Sequence, residues 1–153
     1  MSIHGDIQNN LAARLATITT ANGYGTNVVA VYHDEIPMGM ELNDYQVPAI
    51  FLLDNITPIQ TQFPKAVARW QFSLQLWHNK VADSVMWDFV RDVYKAIYAN
   101  HPTATVNGAF RSIHERVVEI KPLSIASDLQ MIEANRVYVA TFELQYRTEL
   151  FDM

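Results

Sequence analysis

His33, Asp34 and Glu35 stand side by side in this chain and make its best candidate for metal chemistry. Catalytic metal centres usually draw their ligands from positions that share a face of a helix or strand. Adjacent side chains at a strand end project in different directions, so such a triplet rarely closes on one ion. A solvated strand end is the plainer reading. The remaining histidines are His4, His78, His101 and His114, and none has a carboxylate at a spacing that makes a catalytic dyad. His114 and Glu115 are neighbours that would point to opposite faces of a strand. No nucleophile elbow, P-loop or dinucleotide fingerprint occurs. Gly23-Tyr24-Gly25 follows a helical pattern and precedes a strand, the reverse of the phosphate-binding order, and reads as a helix stop and turn. With no cysteine in the sequence, thiol catalysis and disulfides are excluded.

The elements that would carry these residues are legible from periodicity. Ile3, Ile7, Leu11, Leu15 and Ile18 recur at helical spacing, with Asn22-Gly23 as the stop, which places a helix over about residues 3–20. Residues 27–33 and 49–55 are β-branched, apolar runs and read as strands. Between them, 34–48 is rich in acidic residues and aperiodic, and it holds Met38, Met40 and Tyr45. Methionine adapts to uneven apolar surfaces, so this loop is a candidate partner contact. A second helix starts at Asp83, as its N-cap, and runs to about Asn100. Its apolar arc includes Val85, Met86, Phe89, Val90, Val93 and Ile97. A further row, Trp87, Tyr94 and Tyr98 with Arg91 among them, widens that arc and leaves Asp88, Asp92, Lys95 and Ala99 as a narrow polar strip. Ordinary core packing explains each aromatic residue alone; together they mark a candidate subunit or partner interface. Residues 109–120 read as a strand whose alternation slips near Glu115, as a bulge would cause. Residues 121–135 read as a connection bearing Leu123, Ile125, Leu129, Met131 and Ile132. Leu129 and Met131 join the interface candidates.

Two strands alternate most clearly. In 67–78, Trp70, Phe72, Leu74 and Leu76 form an apolar face and Gln71, Ser73 and Gln75 the opposite one. In 136–147, Tyr138, Ala140, Phe142, Leu144 and Tyr146 oppose Val137, Val139, Thr141, Glu143 and Gln145. The order α-β-β-β-α-β-β predicts an α+β two-layer domain spanning 1–153, a mostly antiparallel sheet of about five strands with two helices on one face. A freely solvated second face would carry more Lys and Glu. Gln71, Ser73, Gln75, Thr141, Glu143 and Gln145 are therefore expected to face a neighbouring subunit or a confined channel.

Charged residues make up 18 % of the chain, below the ~25 % usual in soluble domains. This hints at self-association. Net charge is −5, with no basic run, so tight phosphate binding is not expected. Neither a signal peptide nor a membrane-spanning helix is expected.

The layout resembles the tail-terminator and minor tail (head–tail joining) proteins of long-tailed bacteriophages and contractile injection machines. The resemblance rests on the opening helix running into "ANGYGTNVVAVY", on "VPAIFLL", on "RWQFSLQLWHN" leading to "ADSVMWDFVRDVYKAIYAN", and on "RVYVATFELQYRTE". It implies a virion component assembled in the host cytoplasm: a homo-oligomeric ring, commonly a hexamer. Such a ring caps the tail tube, joins it to neck or head proteins and passes DNA as cargo. The family needs no cofactor. Two other readings stand beside it. One is a small-ligand-binding or metal-assisted enzyme domain using residues 33–35 and the 34–48 loop. The other is an adaptor of a different assembly.

Overall fold

Apolar residues every third or fourth position make the first element a helix, α1 (Ile3–Leu15), which buries Ile7, Leu11 and Leu15. The computed structural model of the chain describes residues 3–33, 46–56, 59–62, 65–99, 113, 116–127 and 135–149. α1 is shorter than its periodicity predicts. A separate 3-10 turn, Thr20–Asn22, follows, and Gly23 ends it at φ 90° with its N–H on the Thr20 carbonyl. Only glycine takes that left-handed geometry without cost. Six strands follow: β1 (Ala30–His33), β2 (Ala49–Ile56), β3 (Ile59–Gln62), β4 (Lys65–Asn79), β5 (Val117–Ala126) and β6 (Asn135–Glu149). Between β4 and β5 lies α2 (Asp83–Tyr94), which continues into a π turn, Lys95–Ala99.

The sheet order is β1-β2-β4-β6-β5. β3 pairs with the first residues of β4, on the side that β2 occupies further along. β2 and β3 thus share one lane, and the sheet is five strands wide. β1 runs parallel to β2, and every other pairing is antiparallel. The expected α+β fold is present, with β3 as an additional short strand.

One face of the sheet packs under the helices. Trp70, Phe72, Leu74 and Leu76 are fully buried there beside Tyr138, Ala140, Phe142, Leu144 and Tyr146. Trp70 stacks on Phe72 at 4.4 Å between centroids, and Phe72 on Phe142 at 5.4 Å. Each such side chain contributes roughly 1.5–3 kcal/mol by leaving water. The second face is not uniformly polar. Trp77, Phe51, Val47, Ala49, Val137 and Val139 form a buried cluster at one end of it, with Tyr32 and Ala126 packed alongside.

Three local expectations are corrected. Asp83 is the first helical residue and not the N-cap; Ala82 holds that position without a side-chain bond. Asp83 still lies where the helix dipole favours a carboxylate. Its oxygen accepts from the Tyr138 hydroxyl and from Arg136 at 3.3 Å. Asp92, placed by periodicity on the narrow polar strip of the helix, is buried, at 1 % exposed. Lastly, β5 begins at Val117 and includes 121–126, which were expected to be a connection. Its register shifts twice, between Val117 and Glu119 and between Pro122 and Ser124. These two bulges break the alternation that would have revealed it. Residues 109–112, 114 and 115, the last being where a bulge was expected, lie outside the described residues.

Candidate functional site

Trp87, Arg91 and Tyr94 lie on α2 and Tyr98 on the π turn that continues it, and the four differ in placement. Positions 87, 91, 94 and 98 follow the i, i+4, i+7, i+11 spacing that keeps residues on one side of a helix. That side leans over β6. Trp87 sits edge-on to Tyr138 at 5.5 Å yet remains 43 % exposed. Tyr94 packs edge-on to Phe142 at 5.3 Å, and Tyr98 lies against both Tyr94 and Phe142. Half the row is therefore core flank and half is open surface. Arg91 is exposed and bridges to Asp88 at 3.3 Å and to buried Asp92 at 3.7 Å. The accessible part is thus Trp87 and Arg91, with exposed Val85 nearby on the same helix. Trp and Arg are the residue types enriched where proteins bind one another.

Burial pushes the phenols of Tyr94 and Tyr98 up, and for Tyr98 the neighbouring Tyr94 and Glu119 add to the effect. A phenol held protonated is a hydrogen-bond donor, and the Tyr98 hydroxyl donates to the Ile120 carbonyl at 3.0 Å. Tyr98 thereby ties the end of the helical segment to the edge strand.

The second group of candidates, Gln71, Ser73, Gln75, Thr141, Glu143 and Gln145, does share one face. Gln71 stands opposite Glu143, Ser73 opposite Thr141, and Gln75 opposite Val139. The Ser73 and Thr141 hydroxyls are 3.3 Å apart. Gln75 Oε1 accepts the Trp77 indole N–H at 3.1 Å, so its amide also serves the apolar cluster at that end. β5 adds Glu119 opposite Gln145 and Lys121 opposite Glu143, and Arg69 lies 3.9 Å from Glu143. The polar half of this face therefore carries the cations Arg69, Lys121 and Arg147 together with the anions Glu119 and Glu143.

Of the residues with chemical potential, His33 is half-buried at the end of β1. Its companions Asp34 and Glu35 lie outside the described residues, as do Met38, Met40, Tyr45, His101, His114, Leu129 and Met131. Among the described residues no group of three metal-ligating side chains converges, and no helix is long and apolar enough to cross a membrane. His78 is half-buried and its Nδ1 accepts the Asn79 N–H at 2.8 Å. Desolvation lowers its pKa, which keeps that nitrogen available as an acceptor.

One polar cluster was not anticipated. Asp54, at the bulge of β2, accepts the Trp70 indole N–H at 2.6 Å and the Gln8 amide at 2.9 Å on each oxygen. Close by, His4 lies edge-on to Trp70, and its Nδ1 is 3.2 Å from the Tyr146 hydroxyl. The cluster joins α1 to three strands. A tryptophan placed in the core implies a partner for its N–H, and that was the one available sequence signal. Nothing local identified Asp54 as the partner.

No protein-family profile matches this sequence, and no curated protein does. Among solved structures, a chain from the "Virion of native gene transfer agent (GTA) particle" has a similar fold, with a TM-score of 0.51. The match covers 96 % of both chains at 12 % sequence identity. At that identity the likeness is one of fold.

Proposed function

We propose that this chain is a structural, non-enzymatic virion subunit, and within that class a ring-forming subunit of a phage-type tail. In this reading the ring caps the tail tube, joins it to the neck or head and leaves a passage for DNA. The observation that carries the proposal is the end-to-end fold likeness to a chain of a gene transfer agent virion. The sequence resemblance to tail-terminator and joining proteins points the same way.

Two surfaces support it. A ring needs heterologous contacts, one patch meeting a different patch on the next copy. Trp87 and Arg91 supply a compact candidate for one patch; Met38, Met40, Tyr45, Leu129 and Met131 are proposed as further contacts from sequence. The polar half of the second sheet face suits a lumen. Glutamine, serine and threonine make up most of it, and Glu119 and Glu143 stand among its few cations, which limits its hold on phosphates. Buried Gln8 and Asp92, half-buried Tyr98 and the exposed carboxylate of Asp54 are engaged in holding elements together, as a structural subunit requires.

Size-exclusion chromatography with light scattering, paired with negative-stain imaging, tests the proposal. A closed ring of several copies is expected, alone or on added tail-tube ends. A strict monomer at high concentration that also ignores tube ends would overturn it.

A further inference from the structure

β5 ends the sheet among the described residues and so presents a strand edge. Strand edges recruit other strands through outward N–H and C=O groups. The register shows which groups those are. Arg147 N–H donates to the Arg116 carbonyl at 2.9 Å. Backbone groups alternate in direction along an antiparallel strand. On β6, residues 147, 145, 143, 141 and 139 therefore turn toward β5. Glu119, Lys121, Ser124 and Ala126 are their partners on β5 and turn inward to meet them.

Between the two bulges, the residues left facing outward are Ile120 and Pro122. The Ile120 carbonyl already accepts the Tyr98 hydroxyl. Pro122 has no N–H to give. An incoming strand pairs with an edge residue through both groups; Pro122 lacks its donor, and the Ile120 carbonyl already has one lone pair taken by Tyr98. The residues skipped at the register shifts are Val118 and Leu123, and they are 37 % and 43 % exposed. Two of the exposed large apolar side chains of the described residues are thus bulge residues, set where the edge departs from regular pairing. Exposed Lys121 stands between them.

We infer that Tyr98 and Pro122 together close the β5 edge to strand addition, so that this side of the molecule meets neighbours through side chains and not by extending the sheet. Tyr98 is a positioning residue in this device: it acts through the Ile120 carbonyl, from the helical segment that packs on the sheet face beside Phe142. A subunit that assembles into a closed object needs such a stop, because edge-to-edge pairing between copies has no inherent end. The inference stands on β5 geometry and does not depend on the ring proposal.

The test is the double variant Tyr98→Phe/Pro122→Thr. Phenylalanine keeps the ring against Phe142 and removes only the hydroxyl; threonine supplies an outward N–H. Sedimentation velocity over a concentration series is read together with amide hydrogen exchange across 117–126. The variant should show a severalfold, open-ended rise in mass with concentration, slowed exchange at Ile120, and protection of the amide that P122T introduces. The unmodified chain should hold a fixed size, whether monomer or ring. Gln8→Ala, remote from the edge, controls for growth caused by destabilisation alone. If the control grows as much as the variant, or the folded variant keeps the parent's mass and exchange, the inference is overturned. If the double variant unfolds, Pro122→Thr alone is read by the same criteria. Failure of the unmodified chain to form rings would count against the proposed function while leaving the edge comparison intact.

Discussion

At the residue scale, fully buried Trp70 depends on one carboxylate for its indole N–H. Asp54→Ala should destabilise the fold by about 1–3 kcal/mol, the usual cost of leaving a buried donor without a partner. Asp54→Asn keeps an acceptor oxygen and should cost clearly less. Equal losses in urea melts would argue that the bond to Trp70 is incidental. His78 makes the second residue-level prediction. Its pKa is lowered in the fold because burial disfavours the charged ring. The unfolded chain therefore takes up the proton first as pH falls. The neutral-pH stability should hold above the ordinary histidine range near 6.5 and decline as pH drops below it. Melts between neutral and mildly acidic pH should show that slope, and His78→Asn should flatten it. An unchanged slope would assign acid sensitivity to other groups.

At the element scale, α2 is tied to the segment that leads into β1. Asp92 accepts the Gly25 N–H at 3.1 Å. A Cβ on Gly25 would come within 3.2 Å of Arg91 Nη2 and 3.5 Å of the Asp92 carboxylate. The first neighbour is the free end of an exposed, flexible side chain, so Gly25→Ala should be mild. Asp92→Ala should cost more, about 0.5–1.5 kcal/mol, by removing that hydrogen bond, and should speed hydrogen exchange at Gly25. The reverse ranking would mean that tight packing, and not the hydrogen bond, holds this junction. Periodicity located α2 and the two long strands because one helix face or one strand face is buried along their whole length. It missed the extent of β5 because bulges at Val118 and Leu123 shift the inward face twice within ten residues. It missed β3 because "IQTQ" has a single apolar residue and pairs only with the start of β4.

At the scale of the whole molecule, the proposed ring makes a demand on Trp87 and Arg91. Trp87→Ala and Arg91→Ala should leave the melting temperature close to that of the parent, since both side chains are substantially exposed. They should shift the mass distribution in light scattering toward smaller species. A distribution that does not move would remove this patch from the assembly contacts. The row from Trp87 to Tyr98 was legible as a row in the sequence. Its division into an open end and a core-flanking end was not, because that depends on how far α2 overhangs β6.

Local pattern determined a great deal about this protein by itself. Alternation in 67–78 and 136–147 specified two long strands and which face of each is apolar, since a strand's side chains must point to opposite sides. Helical spacing specified α1 and α2, and together these required an α+β architecture. Tertiary structure decided what depends on partners far along the chain: β1 running parallel to β2, Trp77 and Phe51 gathered on the second face, and Asp54 meeting Gln8 and Trp70. It also decided that Asp92 is buried and that the Ile120 carbonyl is met by Tyr98. Each of these is a contact between residues separated by sixteen or more positions. Short-range periodicity reports which way a side chain points from its own backbone; it carries no information about which distant group arrives to meet it.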